Sequence, residues 1–259
     1  MPMARRKPPF SFDLNGIVAF ASFSGCGHSL VSSIIDGHKN AIISREQKVL
    51  LRLYTGRIDP PQAWNAIYNA SLHYTKRGRW HKGSETSHII PGHYNGTAKD
   101  VVNILGDKHG LGFIRNVSKC PDFIQKIKSI TNLPLHILHI YRNPFDVIAH
   151  SYKFMPERNF DGVVKLVVRR FKLADYAVQV AKNWSNVLDV KLEDLSGIQI
   201  SNILQFLGLE DYEDFIQSAG SIIVRSLMDE SGVVEWNEEN VGIVNNLCSA
   251  IPYLGGYRR

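Results

Sequence analysis

Mostly apolar runs alternate along this chain with segments that are apolar at helical spacing. Ile17–Phe23 and Leu135–Tyr141 are rich in β-branched, aromatic and small apolar side chains and lack regular polar alternation. Such runs predict strands covered on both faces, as in a parallel sheet. Shorter runs at Ala41–Ser44, Val101–Leu105 and Val187–Lys191 predict three more strands. Over Asp161–Asn183 the period changes. Val164, Val167, Val168, Phe171, Ala174 and Val178 fall roughly on one face of a long helix. Further helices are predicted from the turn after Phe23 to Asp36, and over Gln47–Leu53, Pro61–Tyr74, Pro121–Ile130, Ile198–Phe206, Tyr212–Ser218 and Asn237–Ser249. Lys76–Thr97, rich in Gly, Ser and His, reads as a long loop, and loops of that length are often functional. Strands alternating with helices give an α/β fold: a single domain with a mainly parallel central sheet and helices on both faces. It spans residues 15–259, after a flexible tail over 1–14.

Two junctions in this pattern carry candidate chemistry. At the first, the run Ile17–Phe23 gives way to Ser24-Gly25-Cys26-Gly27-His28-Ser29 and then a helix. Glycines let backbone N–H groups approach an anion, and a helix N-terminus adds partial positive charge. The arrangement is P-loop-like, although the ATPase pattern GxxxxGK[ST] is not met: His28 stands where its Lys would be. At the second, the run Leu135–Tyr141 ends at Arg142, and Asn143 and Pro144 open an amphipathic segment. Proline suits the first helical turn, so Arg142 falls at the carboxyl end of a strand, where open α/β sheets bind ligands. A guanidinium beside a helix N-terminus suits phosphate or sulfate; taken alone, a surface Arg pairing with Asp146 is the better reading.

Together the two junctions resemble the sulfotransferase family that uses 3′-phosphoadenosine 5′-phosphosulfate (PAPS), in a bacterial-type form. Arg142 to Val147, RNPFDV, is similar to the family's Arg-Asn-Pro-x-Asp-Val. Gly25 to Leu30, GCGHSL, resembles its [KR]-S-G-[TS]-[TS]-L more loosely, with Gly25 at the basic position and His28 at the first hydroxyl. Ile104 to Lys108 (ILGDK), Val187 to Leu195 (VLDVKLEDL), Phe206 to Leu209 (FLGL), Trp236 and the Gly255-Gly256-Tyr257 ending resemble further family segments in order.

The resemblance implies a P-loop-like fold and transfer of a sulfuryl group from PAPS, as co-substrate, to a hydroxyl or amine acceptor by in-line displacement. The loop Ser24, Gly25, Cys26, Gly27, His28, Ser29 and Leu30 would cradle the 5′-phosphosulfate, and Arg142 the 3′-phosphate. The family's Ser eight residues after that Arg is His150 here, with Ser151 next, and either side chain is a donor. Lys108 is the candidate for neutralising the transferring group. His28 either supplies the positive charge missing from the loop or packs. Glu46, just beyond the second strand, is the candidate general base against a salt bridge with Arg45 or Lys48, and His109 is a rival base.

Composition narrows the alternatives. The chain has 259 residues, a net charge of +6 and 44% hydrophobic residues, which is ordinary for one globular domain. Basicity suits an anionic co-substrate. The Lys and Arg are dispersed and no nucleic-acid motif appears, so no nucleic-acid partner is expected. Arg5-Arg6-Lys7 and Arg169-Arg170 read as a solvated tail and a helix face. No run is long enough to span a membrane and the N-terminus lacks a signal-peptide core, so the expected localisation is cytoplasmic. Cys26, Cys120 and Cys248 suggest no disulfide framework. His81, His88 and His93 match no metal spacing and read as solvated loop histidines; no metal is expected. Trp64, Tyr68, Tyr74 and Trp80 suit stacking on a small-molecule or carbohydrate acceptor, or the core. Two rival readings are a P-loop small-molecule kinase, which wants a loop Lys and magnesium carboxylates, and a non-catalytic nucleotide-binding protein derived from this fold.

Overall fold

The computed structural model describes residues 9–80, 87–155, 157–223 and 234–259. Five strands form one all-parallel sheet: β1 (Ser11–Ala21), β2 (Ala41–Arg45), β3 (Val101–Lys108), β4 (Leu135–Tyr141) and β5 (Val187–Lys191), in the order β2-β3-β1-β4-β5. Each connection carries at least one helix: α1 (His28–Gly37), α2 (Val49–Tyr54), α3 (Pro60–Lys76), α4 (Gly110–Lys119), α5 (Phe123–Thr131), α6 (Pro144–Lys153) and α7 (Phe160–Lys182). After β5 come α8 (Gly197–Phe206), α9 (Glu213–Ile223) and α10 (Glu238–Ala250).

The apolar runs are unbroken because the sheet has a core on each face. Ile17, Ala19 and Ala21 of β1 join the core under α4, α7 and α10, while Val18 and Phe20 join the one under α1, α8 and α9. The chain runs outward from β1 to β2 on one side and to β4 on the other. The strand order therefore reverses beside β1, and open α/β sheets bind ligands outside the carboxyl strand ends at such a reversal.

The structure changes three expectations. Residues 11–14, expected in the tail, begin β1 and pair with β3 from Ser11↔Val101. β3 runs on to Lys108, three residues past its expected end. The helix α4 was not foreseen, because Gly110 and Gly112 open it. Gly110 is required, because a side chain there would meet the Ser22 carbonyl oxygen at 2.5 Å, while Gly112 leaves room for the His109 ring. Among the described residues of Lys76–Thr97 there is no helix or ladder strand beyond Lys76, only an isolated bridge between Trp80 and Ser87; His81 lies outside the described residues.

Candidate functional site

β1 ends at Ala21, and the next six residues turn the chain into α1. The turn is built on two glycines with left-handed backbone, Gly25 at φ +95° and Gly27 at φ +84°, and Gly27 is the N-cap of α1. Leu30 directs its side chain into the core and its amide to the Gly27 carbonyl, and the Cys26 amide is engaged by Phe23. Of the expected anion-binding amides, those two are thereby occupied. The helix start leaves the His28 and Ser29 amides without intrahelical acceptors. The Cys26 thiol is fully buried, and burial pushes its pKa up to about 12, so it is a packing group. His28 is buried at the head of α1, and Ser24 is exposed.

The second junction lies against the first. A side chain at Gly25 would stand 3.1 Å from a methyl of Val147 and 3.5 Å from the His150 ring, so the glycine loop rests on α6. His150 therefore borders the loop, while Ser151, one position on, is buried. The Ser22 hydroxyl donates to the Ile140 carbonyl at 2.8 Å and fixes the β1 exit to β4. Arg142 is not on an open strand end: it is buried, with a guanidinium nitrogen 3.5 Å from the buried Asp146 carboxylate. The Asn143 side chain caps α6 by accepting from the Phe145 amide. The Asn143 amide donates to Glu193 at 2.7 Å, and Glu193 also accepts from the Tyr257 hydroxyl at 2.8 Å. The acidic turn after β5 and the chain's last residues thus brace the Arg142 turn.

On the other side of the loop, Lys108 closes the site. It is buried at the end of β3, and its ammonium donates to the Ser29 hydroxyl at 3.1 Å and to the Glu46 carboxylate at 3.3 Å. Glu46 thus pairs with Lys108 rather than with Arg45 or Lys48. Burial is the main influence on Lys108 and pulls its pKa down to about 8; Arg45 adds to this, and Glu46 and Asp107 oppose it. A narrow cleft beside the ammonium is lined by Ser29, Ser32, Ser44, Arg45, Tyr74 and Arg79. The Tyr74 ring has the Arg45 guanidinium 5.0 Å from its centre and that of Arg79 at 5.2 Å.

No family model and no curated protein matches the chain. Among solved structures it is similar to the "Sulfotransferase Domain from the Synechococcus PCC 7002 Olefin Synthase", at 12% identity over 95% of this chain and 96% of that one, with a TM-score of 0.45.

Two buried carboxylates near the cleft were not singled out by the sequence. Asp107 accepts from the Ser44 hydroxyl at 2.8 Å and from the Gln47 and Val49 amides, each at 3.0 Å. These bonds hold the turn in which Glu46 (φ +55°) and Lys48 (φ +56°) both take left-handed backbone. Asp36 on α1 pairs with the buried Arg79 and accepts from the Ser71 hydroxyl and the Ile43 amide. Sequence signals existed for both: an Asp at the end of an apolar strand beside Lys108, and an Asp at the end of an apolar helix face. His109 precedes α4 with its ring over Gly112, and burial lowers its pKa. Of the loop histidines expected to be solvated, the two among the described residues are packed. His88 is buried, and the His93 ring packs edge-on to Phe215 with centres 5.2 Å apart. Tyr68 is buried and Trp64 packs on the core; Tyr74 reaches the cleft, and Trp80 is exposed.

Proposed function

We propose that the chain is a sulfotransferase that moves the sulfuryl group of PAPS to an acceptor hydroxyl or amine. The observation that carries the reading is the Lys108 ammonium, bonded at once to Ser29 in the first turn of α1 and to Glu46 at the cleft. One buried cation is thereby linked to an anion-binding helix start and to a carboxylate. Arg142 lies just beyond β4 at the start of α6, the helix on which the glycine loop rests, so a bisphosphate nucleotide lying over the loop reaches toward Arg142.

Each residue then has a task. The His28 and Ser29 amides and the Ser29 hydroxyl hold the 5′-phosphosulfate, and Arg142, with His150 beside the loop, holds the 3′-phosphate. Glu46 takes the acceptor proton as the acceptor oxygen bonds to sulfur and the bond from sulfur to the phosphate oxygen breaks. Lys108 stabilises charge on the transferring group and on the departing adenosine 3′,5′-bisphosphate. Such chemistry depends mainly on positioning and fixed charge, and a buried ammonium in a narrow cleft supplies both.

Incubation with PAPS and a panel of hydroxylated acceptors, with mass detection of products, tests the reading: one acceptor should gain a sulfuryl group. Thermal-shift titration supplies the second arm. Adenosine 3′,5′-bisphosphate at a hundredfold excess over its Kd should raise stability by about 2.7 kcal/mol. Stabilisation by Mg-ATP equal to or above that by the bisphosphate would replace the proposal with a kinase.

A further inference from the structure

The roles given above leave one cation of the cleft unused. Arg45 ends β2 and stands in register with Lys108, the last residue of β3. Neighbouring strands lie about 4.8 Å apart, and residues in register on parallel strands project to the same face, so the two cations stand side by side. Both line the cleft, together with Ser29 and Ser32 of α1 and with Tyr74 and Arg79. Glu46, the neighbour that could have paired with Arg45, takes left-handed backbone and places its carboxylate 3.3 Å from the Lys108 ammonium instead.

The other cations of the cleft are balanced. Lys108 has Glu46, and Arg79 has the buried Asp36. The ion pairs formed among the described residues do not include Arg45. Its charge is felt inside the cleft: burial is the main cause of the lowered Lys108 pKa, and repulsion from Arg45 adds to it. Arg45 is also held in place. It is half-buried, and its guanidinium lies over the Tyr74 ring, 5.0 Å from the centre. Arg79 lies 5.2 Å from the same centre and is fixed by Asp36, Ser71 and Thr75. A guanidinium attracted to a ring face keeps its N–H groups for an oxyanion. One uncompensated positive charge suits a singly charged group, and a narrow cleft suits a flat one. A carboxylate is both, and arginine's fork matches its two oxygens.

We propose that Arg45 selects the acceptor, which is a hydroxy acid with its carboxylate on Arg45 and its hydroxyl at Glu46. The place of the hydroxyl rests on the sulfotransferase reading; carboxylate binding at Arg45 does not.

The test is titration calorimetry of the full chain at constant ionic strength, with and without saturating adenosine 3′,5′-bisphosphate. The probes are two matched pairs, 4-hydroxybenzoate with 4-hydroxybenzamide and lactate with lactamide. The wild type should prefer the acid to its amide in at least one pair by about tenfold or more, the size of one charge-assisted contact. Arg45→Gln should lose that preference and keep its affinity for the bisphosphate. Arg45→Lys, which keeps the charge and loses the fork, should show a preference between the two. Circular dichroism checks that both variants fold, and if Arg45→Gln does not, the reduced preference of Arg45→Lys decides. With PAPS, the wild type should sulfate the preferred acid at a lower KM than its amide, and Arg45→Gln should bring the two KM values together.

A wild type with no preference for the acid in either pair would overturn the proposal. So would a preference left intact in Arg45→Gln, or in Arg45→Lys if that variant alone folds. Loss of bisphosphate binding in a folded Arg45→Gln would give Arg45 to the nucleotide and overturn it as well. A wild type that prefers the acid through Arg45 but ignores the bisphosphate and PAPS would fail the sulfotransferase reading and leave the carboxylate site standing.

Discussion

At the residue scale, Lys108 is the group whose behaviour is most constrained. Its pKa, lowered from 10.5 to about 8 chiefly by burial, has two consequences of opposite sign. In the proposed reaction Lys108 acts as a cation, so kcat/KM should fall as pH rises through about 8. Stability moves the other way. Between about 8 and 10.5 the unfolded chain holds a proton that the folded chain has lost, so stability rises with pH across that window, and below it the buried charge is a cost. Lys108→Met should therefore retain bisphosphate binding and lose activity on the order of a hundredfold. It should melt no lower than the wild type at pH 7, and its relative stability should decline toward pH 10. A marked loss of stability at pH 7 would show that the ammonium's bonds to Ser29 and Glu46 outweigh its desolvation. Glu46→Gln should likewise bind the bisphosphate and turn over on the order of a hundredfold more slowly. Near-wild-type turnover would move the base to His109 and leave Glu46 as Lys108's partner.

At the scale of elements, the site is a seam between the glycine loop and α6, held by what Gly25 lacks. Its left-handed backbone and its 3.1 Å clearance to Val147 make any side chain both strained and intrusive. Gly25→Val should weaken bisphosphate binding by more than tenfold, read by titration calorimetry, while the circular dichroism of the sheet and helices is kept. Unchanged affinity would place the nucleotide away from this seam. Much of the seam was legible beforehand: β4 and β5 begin and end where their apolar runs do, and Pro144 opens α6 as its ring geometry requires. What could not be read was set by contacts across the fold. Gly110 and Gly112 conceal α4 because their value lies in close approach to Ser22 and His109, which no local pattern encodes. Arg142 read as accessible because its strand end is the sheet's open edge; its burial comes with the pairing to Asp146. The Asp107 network was hidden because it joins residues 44, 47 and 49 to a strand about sixty positions away.

At the scale of the molecule, the two apolar cores are divided by the sheet, and a buried ion pair stands beside the edge strand β2, whose Ile43 amide donates to the pair's Asp36. Asp36, at the end of α1, holds Arg79, beyond the end of α3, and both are nearly inaccessible. Ser71 bonds to each partner, and the Arg79 Nε donates to the Thr75 hydroxyl at 2.9 Å. The pair ties the helix that starts at the glycine loop to the segment that carries Tyr74 and Arg79 into the cleft. Removing one partner strands the other charge, so Arg79→Met and Asp36→Leu should each destabilise by about 3–5 kcal/mol in urea unfolding. The double variant Asp36→Leu/Arg79→Met leaves no stranded charge. Its loss should be well below the sum, and apolar replacement of such a pair can be close to neutral. Stability and function then separate. The double variant should fold and still bind the bisphosphate, because the glycine loop and Arg142 are untouched, while its KM for acceptor rises as Tyr74 and the cleft wall lose their anchor. Additive losses in the cycle would mean that the ion pair is not the unit that holds α1 to this segment. An unchanged acceptor KM in a folded double variant would move the acceptor away from the Tyr74 wall.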